Sequence, residues 1–174
     1  MTTSIKPNEQ KKIYGVYMRS ILTMKTWLSI TEIGNTIQNN LESKIASTIE
    51  GKCIPEGFIR PKSVRIIRYS NGKVVGDLIE YQVVFECDIA HPVEGMVIEC
   101  TTKTITKAGI HAEVVDRDGN IPITVFVARD YQGSSQYFND ITENQNIKAR
   151  VIGVRFELND PYVCVIAKLL MPDI

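Results

Sequence analysis

Two aspartates bracket an arginine at Asp116-Arg117-Asp118, and the chain carries only two histidines, His91 and His111. Paired carboxylates can do acid–base work or hold a hard cation. Here they run into Gly119-Asn120, and a D-x-D-G-N stretch reads as a turn by composition. His91 stands beside Pro92, away from any obvious nucleophile, and reads as structural. The four cysteines, Cys53, Cys87, Cys100 and Cys164, are scattered without a C-x-x-C pair. Neither a zinc site nor a disulfide framework is expected from them; they read as reduced, buried thiols. No G-x-S-x-G, H-E-x-x-H, P-loop or dinucleotide fingerprint occurs. The pattern points away from catalysis, and no metal or cofactor is expected.

The remaining chemistry is base stacking on aromatic rings with cationic contacts to phosphates. Its candidates are Lys103, Lys107, His111, Phe126, Arg129, Tyr131, Lys148 and Arg150. Phe126 is the most ambiguous, because Val125-Phe126-Val127 reads equally well as core. Net charge is zero, which gives no overall basic signature. The halves differ: residues 1–90 carry 12 Lys and Arg against 9 Asp and Glu, while residues 91–174 carry 8 against 11. Nucleic-acid binding by the second half is therefore expected to be local and weak.

The elements that position these residues follow from periodicity. Residues 1–12 read as a flexible arm, polar and without the apolar core of a secretion signal. Ile13 to Leu28, rich in aromatic and β-branched residues, reads as a strand. Ser29 to Glu32 forms a capping box, and Ile30, Ile33, Ile37, Leu41 and Ile45 recur at three- and four-residue steps. That spacing predicts a helix from Ser29 to about Thr48. Thr48 to Ile59 predicts strand segments broken by a tight loop, and Val64 to Tyr69 a short strand. Ser70-Asn71-Gly72-Lys73 predicts a hairpin turn. Ile79 to Ile89 alternates apolar and mostly polar residues as a long strand with one buried face.

His91-Pro92-Val93-Glu94-Gly95 then interrupts the pattern, since proline cannot donate to a ladder and glycine permits a sharp change of direction. Strands are predicted at 96–105, 110–115, 121–127, 147–158 and 162–170, with one helical turn in the polar 130–146 loop. Five strands with the longer connection after the third match an OB-fold barrel. The expected architecture is thus an α+β unit over 13–90, a helix on a small antiparallel sheet, followed by an all-β OB barrel over 91–174. No apolar run approaches the roughly 20 residues that span a bilayer, so no membrane partner is expected.

Two stretches carry a family resemblance. Ile49-Glu50-Gly51-Lys52-Cys53, followed by Gly57-Phe58-Ile59, resembles the (V/I)-E-G-x-C…G-(Y/F)-(V/I) signature of RNA polymerase stalk subunits. That family comprises the seventh subunit of eukaryotic RNA polymerase II and its archaeal counterpart. His91-Pro92-Val93-Glu94-Gly95-Met96-Val97 is similar to the family's basic-Pro-aromatic-basic-Gly-Glu-Val junction between a tip domain and an S1-type OB domain. Gly109 and Phe126-Val127 match later positions, so the resemblance is co-linear from Ile13 to Leu170. His91, Val93, Glu94 and Met96 depart from the junction pattern, and Ile110-His111 replaces an aromatic pair.

The resemblance implies a non-catalytic polymerase subunit. Its tip domain would dock at the base of the clamp on the large subunits, through Glu50, Gly51, Cys53, Pro55, Gly57 and Phe58. A second stalk subunit would bind alongside. Pro92 and Gly95 would form an interdomain hinge that aims the OB domain near nascent single-stranded RNA. The location would be intracellular: the nucleus for a cellular eukaryotic polymerase, the cytoplasm or virion for a viral one. The competing reading is a free-standing OB-fold protein that binds single-stranded RNA in translation or RNA decay.

Overall fold

The computed structural model describes residues 15–172, so the expected 1–12 arm lies outside the described residues. The first half is built on one long strand, β6 (Leu78–Ala90). It pairs along its whole length with β1 (Tyr17–Ser29), from Tyr17 opposite Ala90 to Ser29 opposite Leu78. Its other edge takes β3 (Gly57–Ile59), β4 (Arg65–Tyr69) and β5 (Lys73–Val75), and β2 (Cys53–Ile54) pairs with β3. The alternation read in the sequence is realised: Tyr81, Val83, Phe85, Cys87 and Ile89 are all buried on one face. They share a buried cluster with Leu41, Ile45 and Ile49 of helix α1 (Ile37–Ile49). Phe85 is only 1% exposed, and burying such a ring contributes about 1.5–3 kcal/mol.

Two sequence expectations change. The single helix from Ser29 is instead a 3-10 turn at Ile30–Glu32, an extended Ile33, and then α1. The capping box is present, but it closes the short turn. Ile30 consequently stays 67% exposed, because the apolar stripe reaches the core only from Ile37 onward. The Asn71–Gly72 bend also joins no hairpin. β4 and β5 do not pair with each other; both pair with β6, in succession along it. The tight connection is the next one, where Val75 faces Leu78 across Gly76–Asp77.

The second half is a closed five-stranded barrel in the order β10-β11-β9-β8-β7. Its strands are β7 (Val97–Ile105), β8 (Gly109–Val114), β9 (Ile123–Ala128), β10 (Asn146–Arg155) and β11 (Val163–Leu169). β9 and β11 run parallel while every other pair is antiparallel, and this order fits the expected OB-type barrel. A 3-10 turn (Arg129–Tyr131) and a four-residue helix α2 (Gln136–Asn139) occupy the long loop. The barrel core includes Ile98, Ile110, Val125, Val127, Ala149 and Val165, and the same buried cluster continues into Cys53, Phe58 and Ala90 of the first sheet.

Three of the cysteines are buried and Cys164 is exposed, which departs from the expectation of four buried thiols. Burial pushes the Cys53 and Cys87 thiols up to about 11, and Cys100 to about 12. Among the described residues, no group of three or more His, Cys, Asp or Glu side chains could hold a metal ion.

Candidate nucleic-acid interface and the seam

Strand alternation decides which barrel side chains face outward. Val125 and Val127 are buried, so Phe126 between them lies on the outer surface, partly covered. Register then aligns it with neighbours. His111 faces Phe126, Phe126 faces Ile166, and Ile166 faces Gly153, giving one row across β8, β9, β11 and β10. The rings of His111 and Phe126 lie 4.8 Å apart, tilted by 46°. This row floors a groove of about 600 Å³ whose lining includes Lys103, Arg155 and Tyr162. An aromatic and aliphatic floor with cations on the rim is the arrangement that stacks bases and meets phosphates. Lys103 has Glu113 at 3.9 Å, which partly offsets its charge.

Arg155, Tyr162 and Ile166 were not among the sequence candidates. For Tyr162 and Ile166 the missed signal was the alternation along β11, where every second residue points out, whereas Arg155 follows a register shift between Val151 and Gly153 that no local pattern marks. The other candidates fall elsewhere. The Arg129 guanidinium donates to the Lys107 carbonyl at 2.9 Å and to Asn139 Oδ1 at 3.0 Å. It also sits 4.7 Å from the centre of the Phe138 ring, so it braces the long loop as a cation–π partner. Tyr131 is 52% exposed on the 3-10 turn. Lys148 and Arg150 pair across from Glu99 and Val97 at the start of β7, and Arg150 donates to the Gly95 carbonyl at 3.4 Å. Of the eight candidates, the groove gathers Lys103, His111 and Phe126.

The stretch expected to dock a partner is largely turned inward. Cys53 and Phe58 are buried in the cluster shared with the barrel. Gly57 is buried against Ala90 and Ile89. Gly51 donates its N–H to the Ile59 carbonyl at 2.9 Å, and the Glu50 carboxylate accepts from the Val64 N–H at 3.1 Å. Only the Pro55–Glu56 tip of this hairpin is exposed. Phe58 therefore serves internal packing, because a side chain 3% exposed offers no surface to a partner. Exposed apolar side chains gather instead at the opposite end of the sheet. Trp27, Ile30, Val74, Val75 and Leu78 lie where Ser29 and Val75 both face Leu78. Thirteen paired residues put this end about 40 Å from the seam.

At the seam the D-x-D-G-N turn does more than reverse the chain. The Tyr17 hydroxyl donates to Asp116 Oδ2 at 2.8 Å. Asp116 also accepts from the N–H groups of Asp118 and Asn120 and from the Asn120 side chain. Arg60 donates to Asp118 Oδ2 at 3.0 Å and to Asp88 Oδ2 at 3.2 Å, and lies 5.5 Å from the Tyr17 ring centre. Asp88 is held on its other oxygen by Arg19 at 2.9 Å. These partners lie far apart in sequence, and local reading gave only the turn.

Burial by itself would raise the Asp116 carboxyl, but the Tyr17 and Asn120 hydrogen bonds and the backbone donors outweigh it and hold it below the usual carboxylate range. Burial, and then the hydrogen bond to Asp116, push the Tyr17 phenol well above its ordinary range. The Asp116 contribution to stability is therefore complete above its unfolded pKa of about 4 and is lost as pH falls further. The Tyr17 contribution is complete below about pH 10 and weakens above it. Denaturant midpoints of a Tyr17→Phe/Asp116→Asn variant and the parent should therefore differ most between these limits. The difference should narrow at both extremes; a constant difference from pH 3 to 11 would contradict the assignment.

No protein-family model matches the chain. A protein of Acanthamoeba polyphaga mimivirus that bears the name "putative DNA-directed RNA polymerase subunit" is 26% identical over 166 residues, spanning 90% of this chain and 83% of its own.

Proposed function

We propose that this chain is a non-catalytic subunit of a multi-subunit DNA-directed RNA polymerase, and within it the stalk subunit. The observation that carries the reading is the similarity to the mimivirus protein across both the sheet and the barrel, 90% of the chain. The first sheet docks on the large subunits through the apolar end at Trp27, Ile30, Val74, Val75 and Leu78, which are 42–72% exposed. The S1-type barrel then projects away from that contact and turns its groove toward the emerging transcript. A second stalk subunit binds alongside, and residues 91–96 join the two domains. The chain works where its polymerase works, in the nucleus, the cytoplasm or the virion. The test is affinity purification of the full chain from cells in which its polymerase assembles. Co-purification of the two largest polymerase subunits is expected, and their absence under conditions that preserve the polymerase would sink the reading.

Contact with RNA through the groove is expected to be weak. The second half carries 8 basic against 11 acidic residues, so stacking on Phe126 and Tyr162 must supply most of the binding. Phe126→Ala should cost about 1–3 kcal/mol per stacked base, or about 5- to 150-fold in affinity for a single-stranded oligonucleotide. Fluorescence anisotropy at low salt checks this, and affinity should fall as salt rises. Equal binding by the variant would remove the groove from the RNA path.

A further inference from the structure

We infer that the 116–120 turn is a lock which fixes the pose of the barrel on the first sheet, making Asp116 and Asp118 positioning residues for whatever the groove contacts. The inference rests on the geometry of the seam and stands independently of the polymerase reading. The family resemblance places control of the interdomain angle in Pro92 and Gly95. Gly95 does adopt φ +87, yet nothing lies within 4 Å of where its Cβ would be. The connector is tied to the barrel, with Pro92 buried and the Gly95 N–H donating to the Val151 carbonyl at 2.8 Å, but the space at the Gly95 Cβ is open, so that residue's side chain does not set the angle.

Beside the buried packing of Cys53, Phe58 and Ala90 against the barrel, the angle is taken up by polar contacts from two other segments. The first is the 116–120 turn, with Tyr17 on Asp116 and Arg60 on Asp118. The second is the β10–β11 turn, where the Cys53 N–H donates to the Asp160 carbonyl and the Asn159 N–H to the Cys53 carbonyl, both at 2.8 Å. Two attachment points leave rotation about the line joining them, and a third attachment removes it.

The chemistry of the turn suits a lock. Asp116 is 8% exposed and receives four hydrogen bonds, three of them from its own turn, so the carboxylate is fixed before Tyr17 reaches it. Arg60 bridges Asp88 of the first sheet and Asp118 of the barrel, so one guanidinium ties the two bodies. Its Nε is buried without a partner, leaving the two outer nitrogens to hold it. The charges alternate along the chain of contacts from Arg19 to Asp88, Arg60 and Asp118. Removing Arg60 would leave acidic groups facing one another across the seam.

The test is measurement of backbone residual dipolar couplings on the full chain, with the first sheet and the barrel each fitted to its own alignment tensor. The parent should give one common tensor. Tyr17→Phe combined with Asp118→Asn should lose the common tensor, while amide shifts inside each core stay in place. If that double variant loses its folded spectrum, Asp118→Asn alone, whose side chain is 58% exposed, is measured instead: with Tyr17 still on Asp116 it should fit a common tensor measurably worse than the parent, and an unchanged fit would overturn the inference. Gly95→Val, with the lock intact, should keep the common tensor. Separate tensors in the parent, a common tensor in the double variant, or a changed pose in Gly95→Val would each overturn it as well.

Discussion

Gly57→Ala is expected to lower stability by about 2–6 kcal/mol, combining about 1–3 for strained backbone with about 1–3 for overpacking. Gly57 sits at φ +133, a conformation that side chains rarely adopt. An added Cβ would stand 2.5 Å from the Ala90 carbonyl oxygen and 2.9 Å from Ile89 Cγ2. The oxygen belongs to backbone, and β6 is held on both edges there, by Tyr17 of β1 and Phe58 of β3. It has little room to move. The hairpin would have to lift, exposing Phe58 and loosening the packing that continues into the barrel. With a urea m-value of about 1–3 kcal/mol/M, the midpoint should fall by about 1 M or more. An unchanged midpoint would show that this glycine is not needed for packing, and would restore the hairpin as a candidate partner contact.

Trp27→Asp combined with Leu78→Asp is expected to abolish recovery of the large polymerase subunits while leaving the fold intact. Both side chains are more than 40% exposed, and exposed substitutions usually change stability by no more than about 0.5 kcal/mol. In an interface they have the character of central anchors. A buried tryptophan at a contact typically costs about 2 kcal/mol or more on truncation, about 30-fold in affinity, and a buried unpaired carboxylate adds to that. Thermal unfolding and co-purification measured on the same variant separate the two effects. Full recovery of the large subunits by a stable double variant would place the docking surface elsewhere. The first place to look is then the outer edge of β1, which ends the sheet order and carries Met18 and Ile21, 73% and 66% exposed. An edge strand offers unpaired backbone groups to a partner.

The two predictions divide the residues that the family resemblance grouped together. The E-G-x-C…G-F stretch reads in sequence as a partner contact, yet its buried members hold the sheet to the barrel. The apolar residues at the far end of the sheet belong to no motif. Trp27 stood inside the Ile13–Leu28 strand, a candidate partner surface if it formed a sheet edge, and Ile30 inside the apolar stripe of a predicted helix. Ile30 is exposed because the helix breaks at Ile33 and starts again only at Ile37. Gly34-Asn35 marks that break in the sequence, since both are poor helix formers, but the apolar periodicity runs through it.

Much was legible from the chain alone. Apolar runs bounded by turn residues, with alternation at 110–115, located all five barrel strands to within about three residues, because a closed barrel buries one face of every strand. The same rule located β6, and proline and glycine marked where the first sheet ends. The sequence could not say which outward-facing residues share a surface. His111, Phe126 and Ile166 form one row only because three strand registers bring them level, and register depends on pairing partners rather than on local preference. Nor could it show that Asp116 meets Tyr17, 99 residues away, or that Arg60 meets Asp118, 58 residues away. Local propensity determined the turn at 116–120, and only the packing of two sheets turned its carboxylates into the lock between them.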